Sequence, residues 1–318
     1  MKFLLVLYLA HAISGQDTSC YDNEVCVDPY YCQSGTIDGN TLERNYLYSC
    51  AESGVCCQLR AWDPRSAGNC AVRNLNTSPK GPSPINANFA EFPWQAMILK
   101  ESTKSLLCGG VIIHKNFVLT TGDCVQGQKS IDILTKGGEW KLGSDEEGID
   151  FELVRLTKIS FHPYYSVGEP AYNLALLHLE RDYKFNLHIQ PLCLEEGPFA
   201  KPGDSCVTTG WGKKALEVHK KNAIEHFTQL NIEDARTCQQ YVPHFNGDFS
   251  ICATTNVDAC LLDFGSALAC QDRSDPQKYV LKGIYSQHTG CTSQYPTLIF
   301  TKLDRQWIQQ TINRPNRG

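Results

Sequence analysis

The chain has 318 residues, 42% of them hydrophobic and 20% charged, with a formal net charge of −5. That length exceeds the usual single domain of roughly 100–200 residues and predicts two domains of unequal size. The acid excess argues against nucleic acid or an anionic membrane surface as a partner.

Residues 1–15 carry one Lys, then an apolar run over 3–10, then the small residues around Ala12, Ser14 and Gly15, which reads as a cleaved secretory signal. The run is too short to span a bilayer, and no later stretch reaches about 18 apolar residues, so a secreted, extracellular product without a membrane anchor is expected. An even count of 16 cysteines fits an oxidising destination. The spacings do not form repeated Cys-x-x-Cys pairs, so no zinc site and no other metal or cofactor is expected.

Residues 19–58 hold six cysteines, Cys20, Cys26, Cys32, Cys50, Cys56 and Cys57, in a segment too small to bury a sufficient core. Disulfides must hold it together, and several connectivities are open. The adjacent pair Cys56-Cys57 and the string Tyr30-Tyr31-Cys32-Gln33-Ser34-Gly35 resemble the clip domain of arthropod extracellular proteases. That resemblance implies the bonds Cys20–Cys56, Cys26–Cys50 and Cys32–Cys57.

Over residues 59–88 the composition shifts to Pro, Asn, Ser and Gly, with Pro64, Pro79, Pro82 and Pro84 breaking helix and ladder alike, which reads as a linker. Asn76-Thr77-Ser78 is a glycosylation sequon within it. The string around Cys70 resembles the tether of masquerade-like serine protease homologues.

From residue 89 to 318 short segments rich in β-branched residues alternate with Gly, Asn, Asp and Pro. Strands are expected over 95–99, 110–120, 153–161, 175–179, 206–211, 279–285 and 297–303, an all-β pattern. Leu303, Trp307, Ile308 and Ile312 recur at helical spacing and predict one closing helix packed on the core.

Several strings in this region resemble the chymotrypsin/trypsin family: Phe92-Pro93-Trp94-Gln95, Cys108-Gly109-Gly110-Val111, Val118-Leu119-Thr120-Thr121-Gly122-Asp123-Cys124, Thr209-Gly210-Trp211-Gly212, and residues 260–270 between two cysteines. The resemblance implies a chymotrypsin-like double β-barrel with a C-terminal helix. It also implies the bonds Cys108–Cys124, Cys206–Cys270, Cys238–Cys252 and Cys260–Cys291, with Cys70–Cys193 tying the linker to the barrels.

Serine-protease catalysis needs a hydroxyl nucleophile, an imidazole base and a carboxylate that orients the imidazole. By the resemblance, Asp123 stands at the histidine position, Asn173 at the aspartate position and Phe264 at the nucleophile, so no residue is assigned a catalytic role. Phe264 offers no nucleophilic atom and is read as filling the centre of a barrel. Leu262 occupies the glycine position of the oxyanion hole, and Ser266, the nearest hydroxyl, is read as a structural hydrogen bond. The histidines lack metal-ligand spacing and read as surface or packing residues, His162 in a surface loop.

Asp258 matches the position that gives trypsin-like enzymes their preference for Lys or Arg, as a buried carboxylate at a pocket base. His288, with Ser286 and Gln287 beside it, falls where the family keeps its pocket open, so a narrowed pocket is expected. Asp263 matches the carboxylate that receives the new α-amino group after activation, and the corresponding scissile bond is Lys80-Gly81. A trypsin-like protease is expected to nick the linker without creating activity.

The resemblance implies a secreted, inactive homologue acting as cofactor, adaptor or decoy in an arthropod extracellular cascade, with clip-domain proteases or prophenoloxidase as partners in melanisation. The competing reading is a recognition or adhesion protein that binds microbial or cell surfaces outside any cascade. An active peptidase using Ser266 is the third.

Overall fold

The computed structural model describes residues 24–27, 42–50, 54–59, 73–75, 77–144, 149–194, 197–212, 223–273, 275, 278–291 and 296–313, the first three segments by their backbone. The chain divides into two compact units, residues 1–69 and 70–318.

The first unit contains three antiparallel strands, β1 (Glu24–Val27), β2 (Leu42–Cys50) and β3 (Gly54–Leu59), in the order β1-β3-β2. The register sets Cys26 opposite Cys56 and Val25 opposite Cys57. The pairing expected for the six cysteines of this unit lies outside the described residues, as do Cys70 and Asn76.

The second unit is two closed six-stranded barrels. The first is built from β4 (Gln95–Lys100), β5 (Leu106–His114), β6 (Phe117–Thr120), β7 (Ile133–Gly137), β8 (Glu152–Phe161) and β9 (Ala175–Leu179), in the order β4-β5-β6-β9-β8-β7. The second uses β10 (Cys206–Gly210), β11 (His226–Ile232), β12 (Ser250–Thr254), β13 (Ala267–Gln271), β14 (Tyr279–His288) and β15 (Thr297–Lys302), in the order β10-β11-β12-β15-β14-β13. Closure leaves no barrel edge unpaired, and alternation along each strand decides which side chains fill the interior. In β8 Val154 and Leu156 point inward while Arg155, Thr157 and Lys158 face water. The expected strand over 110–120 is two strands, because Lys115-Asn116 turns the chain between β5 and β6.

Each barrel has its own core, Ile98, Ile112, Val118 and Leu177 in the first and Leu230, Ile251, Leu268 and Phe300 in the second. A third cluster joins the barrels through Trp94, Val111, Leu119, Leu174, Val207 and Ile284, and takes in Ile308 of the C-terminal helix. Among the described residues three short α-helices accompany them, α1 (Gly122–Val125), α2 (Ala235–Tyr241) and α3 (Arg305–Ile312). Asp304 caps α3 by accepting the Trp307 N–H at 2.9 Å. Disulfides join Cys108–Cys124, Cys206–Cys270, Cys238–Cys252 and Cys260–Cys291, and Cys193 is also disulfide-bonded.

The expected linker over 59–88 does not run free to residue 88. From Arg73 onward the described residues pack on the barrels, with Asn74 and Ala87 buried. Arg73 pairs with the buried Glu91 at 2.7 Å and lies over the rings of Phe92 and Phe227. His162 is likewise buried rather than in a surface loop. Its Nδ1 accepts the Tyr164 N–H, so Nε2 carries the proton and donates to Asp304 at 3.1 Å.

Candidate functional site

An open cleft of about 580 Å³ runs between the barrels, lined by Leu107, the Cys108–Cys124 disulfide, Thr121, Asp123, Phe264, Ser286, Gln287 and His288. The sequence separates these residues widely, and the barrel topology gathers them. β6 delivers Thr121 and, through α1, Asp123; the turn before β13 delivers Phe264; the end of β14 delivers Ser286, Gln287 and His288.

At the first-barrel end, Asp123 and Asn173 satisfy each other. The Asp123 N–H donates to Asn173 Oδ1 at 3.0 Å, and Asn173 Nδ2 donates to Asp123 Oδ2 at 2.8 Å. Asp123 Oδ1 accepts the Tyr165 hydroxyl at 2.7 Å and the Gly168 N–H at 3.0 Å. Burial and the bond to Asp123 push the Tyr165 hydroxyl well above its ordinary pKa, so it stays a donor. Gly122 is required here, since a Cβ would stand 2.5 Å from the Tyr165 ring. Gln287 Nε2 reaches across from the second barrel to the Gly168 carbonyl at 3.0 Å. The Asp123 carboxylate is thus spent on holding the loop over 162–172, with bonds to Asn173, Tyr165 and Gly168.

At the second-barrel end, the backbone of the turn is retained while its side chains close it. Gly265 takes the left-handed conformation at φ 91°, where a Cβ would strike the Gly109 carbonyl and Thr120. The Gly109 N–H donates to the Phe264 carbonyl at 2.7 Å. Phe264 is 41% exposed, so it does not fill the centre of a barrel; its ring stacks on His288 with centroids 5.3 Å apart and an interplanar angle of 13°. The Leu262 N–H turns inward to the Ala259 carbonyl at 3.2 Å, leaving it nothing to offer a substrate oxyanion. Ser266 is buried, and its hydroxyl accepts Gln95 Nε2 at 2.9 Å as the expected structural bond.

The pocket expected above Asp258 takes a different form. Asp258 is exposed and caps a 3-10 turn (Ala259–Leu261), accepting the Cys260 N–H at 2.9 Å, and it does not line the cleft. Tyr285, which the sequence reading passed over as a strand residue, is fully buried between Phe264 at 5.0 Å and Phe300 at 5.5 Å. Its hydroxyl has no hydrogen-bond partner among the described residues. Burial, reinforced by Asp263 and Asp258, raises its pKa. Its strand also holds Tyr279, Lys282 and Ser286, so nothing in the sequence singled it out. Ser286 donates to the Ile299 carbonyl at 3.1 Å and so braces the strand pair.

Asp263 is buried, accepting the backbone N–H groups of Trp211 at 3.0 Å and Gly212 at 2.9 Å. Burial outweighs both donors and lifts its pKa to about 6. Cys260, His288 and Cys291 lie close together, but both thiols are committed to their mutual disulfide and cannot serve as thiolate ligands.

The sequence model of the trypsin family matches residues 85–308. The chain belongs to the trypsin family. It is 37% identical to the inactive serine protease scarface of Drosophila melanogaster over 94% of this chain and 47% of that protein. It is 30% identical to the inactive CLIP domain-containing serine protease A28 of Anopheles gambiae over 71% of this chain and 62% of that protein. The serine proteinase stubble of Drosophila melanogaster is 27% identical over 71% of this chain and 30% of that protein. The chain therefore spans about half to three-fifths of the length of the first two. Two of these trypsin-family relatives are named inactive, and among the described residues no helix is long and apolar enough to cross a membrane.

Proposed function

We propose that this is a secreted clip-domain serine protease homologue that has lost hydrolysis at all three triad positions and acts by binding proteins of an extracellular proteolytic cascade. The observation that carries the reading is the fate of the cleft, where Phe264 replaces a nucleophile and Asp123 is fully engaged by Asn173, Tyr165 and Gly168. Removing one triad member already costs several orders of magnitude in rate, and no base and nucleophile remain to share a proton. The names of the inactive insect relatives support a role beside proteases. By that analogy the partners are clip-domain proteases or prophenoloxidase, and the setting is melanisation.

Two measurements test this. The purified chain should give no fluorophosphonate label and no turnover of an arginyl substrate; a labelled band lost on Ser266→Ala would overturn the loss of catalysis. Crosslinking in haemolymph should recover a clip protease or prophenoloxidase. Recovery of neither, with binding to bacteria or cells in protease-free buffer, would replace the cascade reading by surface recognition.

A further inference from the structure

The bond that corresponds to the family's activation site, Lys80-Gly81, lies in the described segment 77–91, and this segment is bonded closed on both sides of it. Before the bond, the Pro79 carbonyl accepts the Phe89 N–H at 2.9 Å and Lys80 Nζ reaches the Leu75 carbonyl at 3.2 Å. After it, the Gly81 N–H donates to Asn88 Oδ1 at 3.1 Å, while Asn88 Nδ2 donates back to the Leu75 carbonyl at 3.1 Å. Gly81 presses on the returning chain so closely that a Cβ would stand 2.7 Å from the Ala87 carbonyl oxygen.

The returning chain is in turn fixed to the start of β11 in the second barrel and to Trp140, which follows β7 of the first. The Ala87 N–H donates to the Glu225 carbonyl at 2.8 Å, the Phe227 N–H to the Ile85 carbonyl at 2.9 Å, and Trp140 Nε1 to the Ala87 carbonyl at 2.7 Å. The base of the segment is locked by Arg73 and Glu91, whose second oxygen accepts the Asn88 N–H at 2.8 Å. A protease that attacks a peptide bond needs the flanking residues extended and free to pair with its own cleft. Here the groups on both sides are already used.

We infer that the working form of this protein is uncut at Lys80-Gly81: residues 73–75 and 77–91 form a strap that withholds this bond from trypsin-like proteases while the barrels are folded. The activation carboxylate needs no cut to be served, since Asp263 takes two backbone N–H donors within the intact chain. The inference goes beyond the proposed function and holds whichever partner the cleft meets.

The test is limited proteolysis of the full native chain with trypsin, reading the appearance of a Gly81 N-terminus by mass spectrometry against a free peptide of residues 74–88. Opening the strap breaks the four hydrogen bonds around the scissile bond, so cleavage there should be about 100-fold slower than in the peptide when opening limits access. Asn88→Ala removes the acceptor of Gly81 and the donor to Leu75, and should speed cleavage at this bond by about tenfold without a matching rise at other sites. Wild-type cleavage at the peptide's rate overturns the inference, and so does an Asn88→Ala chain that is folded and cut no faster than wild type. Hydrogen exchange needs no substitution: the amides of Gly81 and Phe89 should be protected in the wild-type protein, and exchange at the free-chain rate would equally overturn it.

Discussion

At the first-barrel end of the cleft, Asp123 and Asn173 answer each other's hydrogen bonds, whereas at the second-barrel end Phe264, Tyr285 and His288 close the space by ring packing. The two ends are held by different physics. A polar corner must satisfy every buried donor and acceptor, so its stability resides in a few directional bonds. An aromatic corner gains from area and close contact, and tolerates groups orphaned among the described residues, here the Tyr285 hydroxyl and His288 Nδ1. The aromatic end is therefore the costlier one to empty.

The largest expected effect follows from that difference. Tyr285→Ala should destabilise the barrel unit by about 3–5 kcal/mol, the range for removing a large buried ring. Tyr285→Phe should be neutral or stabilising, since it removes a buried hydroxyl that has no partner. Chemical denaturation of both variants checks the pair. If Tyr285→Phe costs as much as Tyr285→Ala, the hydroxyl is bonded and packing is not what closes this end.

Asp263, next to Phe264, adds a pH dependence at the second-barrel end. Its pKa rises from 3.8 to about 6 on folding, so its contribution to stability is fully present below pH 4 and is lost as the pH climbs through about 6. The shift corresponds to roughly 2–3 kcal/mol between those limits. Glu225, buried beside Glu91, is raised in the same direction, while burial lowers His178 to about 4 and works oppositely in acid. The comparison must therefore be made between wild type and Asp263→Asn at each pH. The variant should gain on wild type from pH 4 to pH 8; an unchanged difference in melting temperature would show that Asp263 remains ionised throughout.

The polar end should respond less. Asn173→Ala strips the Asp123 N–H and Oδ2 of their partners and should cost about 1–3 kcal/mol, with the loop over 162–172 becoming faster in hydrogen exchange. Loss of stability without faster exchange at Gly168 would separate the Asp123–Asn173 pair from the loop it is argued to hold.

These two ends were unequally legible in the sequence. The strings around Cys108 and Cys124, Thr209-Gly210-Trp211-Gly212 and residues 260–270 carried the fold by resemblance to the trypsin family, and the same resemblance implied the exchanges at Asp123, Asn173 and Phe264. What they became was not legible there. Gly122 reads as a minor change within its string, and its purpose is visible only when Tyr165, 43 positions further along, lies over it. Asp258 read as a pocket base, but exposure made it a turn cap, because burial is decided by neighbours distant in sequence. The strap was hidden for the same reason: its Pro-rich composition signals a linker, while its bonds are made to Glu225, Phe227 and Trp140.

The smallest expected effect is also the sharpest check on the comparison. If both ends were closed only by the three exchanged residues, the combined variant Asp123→His, Asn173→Asp, Phe264→Ser would regain measurable hydrolysis. It should not. Tyr285 would still fill the space behind the nucleophile position, the Leu262 N–H would still be turned to Ala259, and the Tyr165 ring would still lie against Gly122. A positioned nucleophile without an oxyanion donor loses about 10²–10³ in rate even where the substrate binds. Turnover of an arginyl substrate by this triple variant would mean that the aromatic end opens on its own. Adding Tyr285→Val and Leu262→Gly to it tests the same closure from the other side, by supplying the space and the donor that the native chain withholds.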